Sequence, residues 1–370
     1  MKKKLITLAV ASTLVTAAAV SAPAFADTSN VAIYGVANVS FDLTDNGVVS
    51  TNKVSSNQSR FGLKGSEDLG DGLSAVWQIE QLITIDSSSG AGNTLATRNT
   101  FAGLSSGSMG TFILGRHDTP YKIATRGLDV FADSAADNRS LMGSTAGGGG
   151  FTAVHDNRLG DVAAYISPAM SGLTVAIAHV SGAETTTTAA QVKGAAWSMA
   201  GIYGNGPVNA SLSYQVVDFG SAGTSGQAIM TALGANDKAK AWKLGGGYTM
   251  DAFTVNAAYE KTSNTVGGAS AAGQSNWYLG GKYSFGTDAV KLAYSSAGDV
   301  QATANTGATQ WALGYDHNMS KRTTLYALYT RVNNDAGAAY GLTGVSTGGQ
   351  AAAAAGQDPS AWSFGMKHTF

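Results

Sequence analysis

Two cations share one face of a strand that the sequence predicts near its start. In residues 58–64, QSRFGLK, Arg60 and Lys64 alternate with Phe61 and Leu63. Because successive side chains of a strand point to opposite faces, the cations lie on one face and the apolar residues on the other. Fixed charges on a face that meets water attract or repel ions, so this pair predicts ion recognition.

The next predicted strand has the same arrangement with other residue types. Gln78 and Glu80 share one face, and Trp77 and Ile79 share the opposite face. We therefore expect Gln78 and Glu80 to lie beside Arg60 on one polar wall.

Three acids form a second group, in a segment without strand-like alternation over residues 118–156. Loops of this length are usually functional or disordered. Asp129, Asp133 and Asp137 follow each other at four-residue spacing, so a short helix would place all three on one face. The alternative is a solvated outer loop with ordinary helix charges.

Two short motifs resemble catalytic or cofactor-binding sites but lack the context that those sites need. Residues 103–107, GLSSG, fit the nucleophile elbow, yet a turn and a strand follow where a helix is required. Residues 70–75, GDGLSA, fit a dinucleotide-binding pattern, yet a strand follows again. The five histidines have no paired metal-ligand spacing. We predict no catalytic residue, no metal and no cofactor, with an outer-membrane esterase as a remote alternative.

The first residues predict export. Lys2–Lys4 precede an apolar stretch from Leu5 to about Val20, and Ala24-Phe25-Ala26 follows. This pattern is typical of a secretory signal peptide cleaved after residue 26, although an uncleaved membrane anchor is the alternative. We expect residues 27–370 to form a single domain.

Composition narrows the class of the exported chain. Only 13% of the residues are charged, 48 are glycine and none is cysteine, whereas ordinary soluble domains have about 25% charged residues. Three of the 23 basic residues lie in the predicted signal peptide, so the remainder is mildly acidic and predicts no nucleic-acid partner. An outer-membrane β-barrel and a secreted all-β protein fit this composition.

Alternation along most of the chain favours the barrel. In residues 208–216, VNASLSYQV, apolar and polar residues alternate, as in strands that face lipid on one side and water on the other. The strand near 322–332 is less regular, because Tyr326 and Leu328 fall on its polar face. The sequence predicts sixteen strands: 31–43, 55–66, 72–85, 97–105, 110–117, 157–167, 172–181, 195–204, 207–217, 240–250, 252–262, 275–286, 288–297, 308–317, 322–332 and 360–370.

A weak repeat led by tryptophan supports the same architecture, because its steps suit one hairpin with a long loop. In a barrel, the tryptophans and the later tyrosines or phenylalanines would form two interfacial girdles. The repeats are WSMAGIY (197–203), WKLGGGY (242–248), WYLGGKY (277–283), WALGYDH (311–317) and WSFGMKH (362–368).

The sequence resembles the general porins of Gram-negative, especially betaproteobacterial, outer membranes, a family that includes the neisserial porins. The resemblance rests on VAIYGVANVSFD (31–42), SRFGLKGSEDLGDGLSAVWQIE (59–80), TRNTFAGLSSGSMGTFILGR (97–116) and the terminal Phe370. It implies an all-β, transmembrane antiparallel β-barrel of 16 strands, usually a homotrimer. It also implies that the third loop, here residues 118–156, folds into the lumen.

The resemblance also assigns a basic cluster to the pore wall. Arg60 matches the arginine of the S-R-F-G motif, Arg98 the arginine before F-x-G-L, and Arg158 the arginine that opens the strand after the loop. Residues 160–164, GDVAA, stand where the family often has Asp-Asn-Ser and a further arginine. The cluster therefore has one cation fewer than is usual, which weakens the expected anion preference.

Together these observations predict a water-filled channel for passive diffusion of ions and small hydrophilic solutes, with mild anion preference. Arg60 and Lys64 face the lumen, since a lipid-facing arginine near the midplane costs about 2–4 kcal/mol. The predicted basic cluster lies opposite Asp129, Asp133 and Asp137 and would create a transverse field. Its members are Arg60, Lys64, Arg98 and Arg158. Alternatively, each arginine forms a structural ion pair with a neighbouring loop.

A plugged barrel that serves as adhesin or structural anchor is the other alternative. The C-terminal strand carries a separate feature. It alternates and ends on Phe370, which resembles the signal that outer-membrane assembly machinery reads. The expected partners are outer-membrane lipid, this machinery, further copies of the chain, and ions and small solutes.

Overall fold

The strands form one antiparallel sheet. The computed structural model describes residues 30–86, 95–143, 155–181, 195–218, 238–266, 269–342 and 350–370. The predicted signal peptide, residues 1–26, lies outside these ranges. Seventeen strand segments occur in the described part of the chain. They are β1 Asn30–Asp45, β2 Ser50–Ser56, β3 Arg60–Gly70, β4 Leu73–Leu82, β5 Thr100–Ser106, β6 Gly110–Asp118, β7 Arg158–Ile166, β8 Leu173–Val180, β9 Ala195–Asn205, β10 Val208–Asp218, β11 Lys238–Met250, β12 Phe253–Val266, β13 Ala269–Phe285, β14 Asp288–Ala297, β15 Ala308–Asn318, β16 Thr323–Asn334 and β17 Ser360–Thr369.

The sheet closes into a barrel at β1. One edge of β1 pairs with β17, from Val36 opposite Thr369 to Asp45 opposite Ser360. The other edge pairs with β2 and then with β3. The segments β2 and β3 are therefore two parts of one barrel strand, and the predicted sixteen-stranded antiparallel barrel is confirmed.

The interruption between β2 and β3 was not predicted from the sequence. Gln58 has a left-handed backbone (φ 56°), and the backbone of Asn38 on β1 bonds to Asn57 and to the Ser59 hydroxyl instead. Arg60 follows at once, so this irregularity sets the position of its side chain on the wall.

Alternation places apolar residues outside and small polar residues inside. On β10, Leu212 is 57% exposed, whereas the flanking Ser211 and Ser213 are buried. Short turns join the strands at one end of the barrel, as at residues 70–72, where all three φ angles are positive. We call this the short-turn end and the opposite end the loop end. None of the described helices is long and apolar enough to cross a membrane.

The described part of the connection between β6 and β7, residues 119–143 and 155–157, folds into the lumen, as predicted. It begins with helix α1, Pro120–Arg126, whose N-cap residue Thr119 accepts a hydrogen bond from the Lys122 backbone nitrogen. Proline in the first turn suits this position, because its missing N–H would have no partner there. Turns follow, and then a short 3-10 helix over Asn138–Ser140.

Apolar contacts fix this loop against β12–β17. Phe131, Leu141 and Met142 of the loop share one buried cluster with Tyr278 on β13 and Leu328 on β16. The alanines of β14 and β15 in the same cluster leave room for the loop. This packing explains the irregular alternation of β16, because its lumen-facing apolar residues contact the loop and not water.

Candidate functional site

A row of arginines lines the lumen from β3 to β7, and carboxylates of the same wall hold it in place. Arg98 forms an ion pair with Glu80, with 2.6 Å between Nε and Oε1. Arg60 lies 4.0 Å from the other oxygen of Glu80, to which the Tyr34 hydroxyl also donates at 3.0 Å. The structure thus brings Arg60, Arg98 and Glu80 together. We call Arg60, Arg98 and Arg158 the arginine wall.

Arg158 joins the row through a second set of partners. Its guanidinium contacts Asp118 at 3.0 Å and donates to the side-chain oxygen of Asn99 at 2.6 Å. The Lys122 ammonium lies 2.9 Å from the other Asp118 oxygen, which ties helix α1 to this wall. Gln78 donates to the Asn99 carbonyl at 3.1 Å.

Lys64 is separate from this row, four residues nearer the short-turn end of the same strand. Its ammonium lies 5.3 Å from the centre of the Tyr34 ring. No ion pair of Lys64 is found within the described ranges. It is therefore a lumen cation outside the arginine wall.

The expected helix that would carry three acids on one face is wrong. Helix α1 ends at Arg126, and the acids follow it in turns. All three gather around the Arg126 guanidinium, at 3.8 Å for Asp129, 2.7 Å for Asp133 and 2.5 Å for Asp137. The loop thus supplies the counter-charge for its own carboxylates.

Burial and charge make these three carboxyls unequal. Burial, together with the nearby Asp137 carboxylate, raises the pKa of Asp129 to about 6. Burial alone would also raise the pKa of Asp137, but Arg126 and Arg139 hold it well below its ordinary value. Arg126, Arg60 and Arg139 likewise outweigh burial and lower the pKa of Asp133. The side chains of Asp129 and Asp137 are 0% exposed, so neither presents its charge to the lumen.

Asp133 is the acid that meets the wall. Its carboxylate lies 3.4 Å from Arg60, and its backbone carbonyl accepts a hydrogen bond from the Asn38 side chain at 2.9 Å. Its backbone is left-handed (φ 60°), a conformation that aspartate tolerates better than most residues. The expected field between wall cations and three facing acids is thus reduced to one cross-lumen pair.

Cations exceed acids in this region. Six basic side chains, including those of the loop, meet five carboxylates. The basic residues are Arg60, Arg98, Lys122, Arg126, Arg139 and Arg158, and the acids are Glu80, Asp118, Asp129, Asp133 and Asp137. With a pKa of about 6, Asp129 is still mostly ionised at neutral pH, so the positive balance in this region comes from the number of basic side chains.

Sequence reasoning missed several members of the site. Asp118 and Lys122 lie four residues apart across the start of the loop, a spacing that gave no sign of Arg158 as their common neighbour. Arg126 and Arg139 flank the acids in the sequence, and this proximity was the one available signal. Which acid each arginine contacts depends on the turns between them.

The motif that resembles a nucleophile elbow is part of a regular hairpin. Ser105 lies in β5, and its hydroxyl is 2.8 Å from that of Thr111 on β6. No turn into a helix follows it. Across the described ranges, no group of three or more histidine, aspartate or glutamate side chains could hold a metal ion.

Comparisons with known proteins agree with this architecture. The family model for Gram-negative porins matches residues 11–337. Outer membrane porin protein 32 of Delftia acidovorans is 30% identical over the full length of both chains. The major outer membrane protein P.IA of Neisseria meningitidis serogroup A is 26% identical over 74% of this chain and 75% of its own length.

A solved structure supports the fold. The anion-selective porin from Comamonas acidovorans superposes with a TM-score of 0.75 at 23% sequence identity. The superposition covers 93% of this chain and 100% of that one.

Proposed function

The chain belongs to the Gram-negative porins, and from this premise we propose that its outer-membrane channel passes anions in preference to cations. The channel itself is a property of the family, which conducts small solutes across the outer membrane by diffusion. The preference for anions is the finer claim. The solved structure that it resembles is described as an anion-selective porin, which supports the proposal but concerns that protein.

One observation carries the preference for anions. The arginine wall borders the lumen, whereas Asp129 and Asp137 are buried against loop arginines. A permeating ion therefore passes guanidinium groups, and most of the loop carboxylates are covered. Since lining charges select among ions by their sign and position, this arrangement favours anions.

We also propose a homotrimer, which the distribution of aromatic residues on the outer surface supports. At the loop end, each strand from β9 to β17 carries one outward tryptophan or tyrosine: Trp197, Tyr214, Trp242, Tyr259, Trp277, Tyr294, Trp311, Tyr329 and Trp362. The corresponding ends of β1–β8 have neither residue type. Because such belts mark lipid interfaces, the gap in the belt suits contact with other copies.

The remaining partners follow from export and assembly. The proposal includes cleavage of a signal peptide over residues 1–26 and a single domain over residues 27–370, without a catalytic role. Phe370 lies at the seam of the barrel, where its backbone exchanges two hydrogen bonds with Gly35 on β1. Phe370 as a residue is 46% exposed, which supports recognition by the assembly machinery.

Planar-bilayer recording of the purified protein under a KCl gradient tests the function. We expect stable conductance in steps grouped by three and a reversal potential of the sign set by anions. Folded protein without conductance would contradict the channel, whereas a reversal potential of cation sign would contradict only the preference for anions.

A further inference from the structure

A second basic region lies on the short-turn side of the loop tip. A cavity of about 340 Å³ opens there between the loop and the lumen faces of β13–β17. We call it the lower cavity and define it by its cations. They are Lys282 on β13, Lys291 on β14, Lys321 and Arg322 in the turn before β16, and Lys367 on β17. None of them belongs to the arginine wall.

Acids compensate only part of this charge. Asp316 on β15 forms an ion pair with Lys291 at 2.8 Å. Asp133, which also lines the cavity, is held by Arg126 of the loop, and the carboxylate of Asp129 is fully buried against the same arginine. Within the described ranges, no carboxylate lies within 4.0 Å of the remaining cations, which are Lys282, Lys321, Arg322 and Lys367.

The strand register brings two of the cations face to face. Lys282 and Lys291 are direct cross-strand partners in the antiparallel pair of β13 and β14. Like charges in this position destabilise a sheet. A bound anion would relieve this repulsion, because it supplies the counter-charge that Asp316 gives to Lys291 alone.

From this juxtaposition we propose that the lower cavity binds a small free oxyanion with two or more negative charges. The inference rests on the proposed anion channel and specifies a preferred class of solute. A multivalent anion gains more than chloride does, since Coulomb attraction scales with the ligand charge. The lysine ammoniums each offer three donors, and the Arg322 guanidinium can bind two oxygens at once.

The test measures chloride current through the reconstituted channel while inorganic phosphate is added at constant ionic strength. We expect phosphate to reduce the wild-type current along a saturating curve. In a double variant, Lys282→Gln with Lys367→Gln, the half-inhibiting concentration should rise by about tenfold or more, because two charges that face the ligand are lost. Lys240→Gln, which removes a lysine from the exposed outer face of β11, should behave as wild type.

A second readout separates this site from the channel itself. Inorganic phosphate should raise the melting temperature of the detergent-solubilised wild-type protein, because a ligand that binds the folded state stabilises it. The double variant should lose most of this shift, and the single Lys282→Gln variant should lose part of it. Non-saturating inhibition, or an equal phosphate response in the double variant, would overturn the site. Loss of all conductance with a retained melting shift would overturn the channel and leave the site standing.

Discussion

The two walls of the lumen, β12–β17 and β3–β7, contain different types of residue. The wall of β12–β17 seats the loop on alanines and on Tyr278 and Leu328. The Tyr278 hydroxyl accepts the Val130 backbone N–H at 2.9 Å, and Asn256 donates to the Leu128 carbonyl at 2.8 Å. The opposite wall, β3–β7, carries the arginines and contacts the loop through few polar groups.

The difference shows how one barrel can fix a loop on one wall and keep arginine side chains beside the water-filled lumen on the other. Apolar burial holds the loop from one side, so the arginine wall is free to keep its cations beside the lumen. Glu80 and Asp118 orient these cations and leave part of each at the lumen, since the side chains of Arg60, Arg98 and Arg158 are 17%, 11% and 12% exposed. In this account the loop carboxylates stabilise the folded loop, and the arginines of the opposite wall attract permeating anions.

The largest effect is expected where the two walls meet, at the seam between β1 and β17. Deletion of Phe370 removes both backbone hydrogen bonds to Gly35 and the ring that covers this glycine so closely that a Cβ there would collide with it. We expect most of the folded barrel to disappear from the outer membrane, as measured by heat-modifiable mobility in gels.

The matched control keeps an aromatic ring at the terminus. Phe370→Tyr should assemble nearly as well as wild type, because the backbone bonds and the ring contact remain. Normal barrel levels after the deletion would show that the seam closes without its terminal residue, and that Phe370 is no assembly signal.

The second largest effect is expected from loss of the ion pairs that fix the loop. Arg126→Gln leaves the buried carboxylates of Asp129 and Asp137, and the partly exposed one of Asp133, without their shared cation, and removal of one partner from a buried ion pair costs about 3–5 kcal/mol. We expect noisier single-channel currents and faster hydrogen exchange in residues 126–140. Arg331→Gln is the control, because its pair with Asp358 is far more exposed and such pairs contribute about 0–1 kcal/mol. Equal effects of the two substitutions would contradict a loop fixed by Arg126.

A smaller effect is the pH dependence of stability that arises from the buried His155. Burial and the nearby Lys243 lower the pKa of His155 to about 4, although Glu260 acts in the opposite direction. Neither imidazole nitrogen bonds to a group in the described ranges. The unfolded chain therefore takes up this proton below about pH 6.5 while the folded chain stays neutral, so stability falls as pH decreases from about 6.5 to 4.

Comparison with a variant isolates this histidine from other titrating groups. Asp129 acts with the opposite sign, because its raised pKa favours the folded state as pH falls through about 6. His155→Asn should therefore lose less melting temperature than wild type between pH 7 and pH 4.5. An identical loss in both proteins would show that His155 does not titrate in this window.

The outer surface could be predicted from the sequence, because the lipid-facing side of each strand obeys one rule. Alternation located all sixteen strands, and the one irregular strand, β16, was the one whose apolar residues pack on the loop. The start of β5 at Thr100, and not at residue 97, leaves Arg98 in the preceding turn. Strand ends depend on such tertiary contacts, which alternation does not encode.

The charged site could be predicted only in part. Arg60, Arg98, Arg158 and Glu80 were assigned to the lumen; in the structure they lie along one wall, and their role in the pore stays a prediction. Their pairing could not be derived, because Arg98 lies in the turn before β5 and meets Glu80 of β4 only in the folded barrel. The grouping of three acids on Arg126 depends on a left-handed turn at Asp133. The four-residue spacing of the acids had predicted a helix for this segment.

The reversal potential of Arg98→Gln beside wild type tests the central claim most directly. A unit charge about 7 Å from an ion in water-like surroundings contributes about 0.6 kcal/mol, favourable for an anion and unfavourable for a cation, so the ratio of anion to cation permeability should fall about sevenfold. Lys240→Gln, on the outer face, should leave the potential unchanged. An unchanged potential in Arg98→Gln, or a shift toward anions, would contradict the account in which the arginine wall selects the ions.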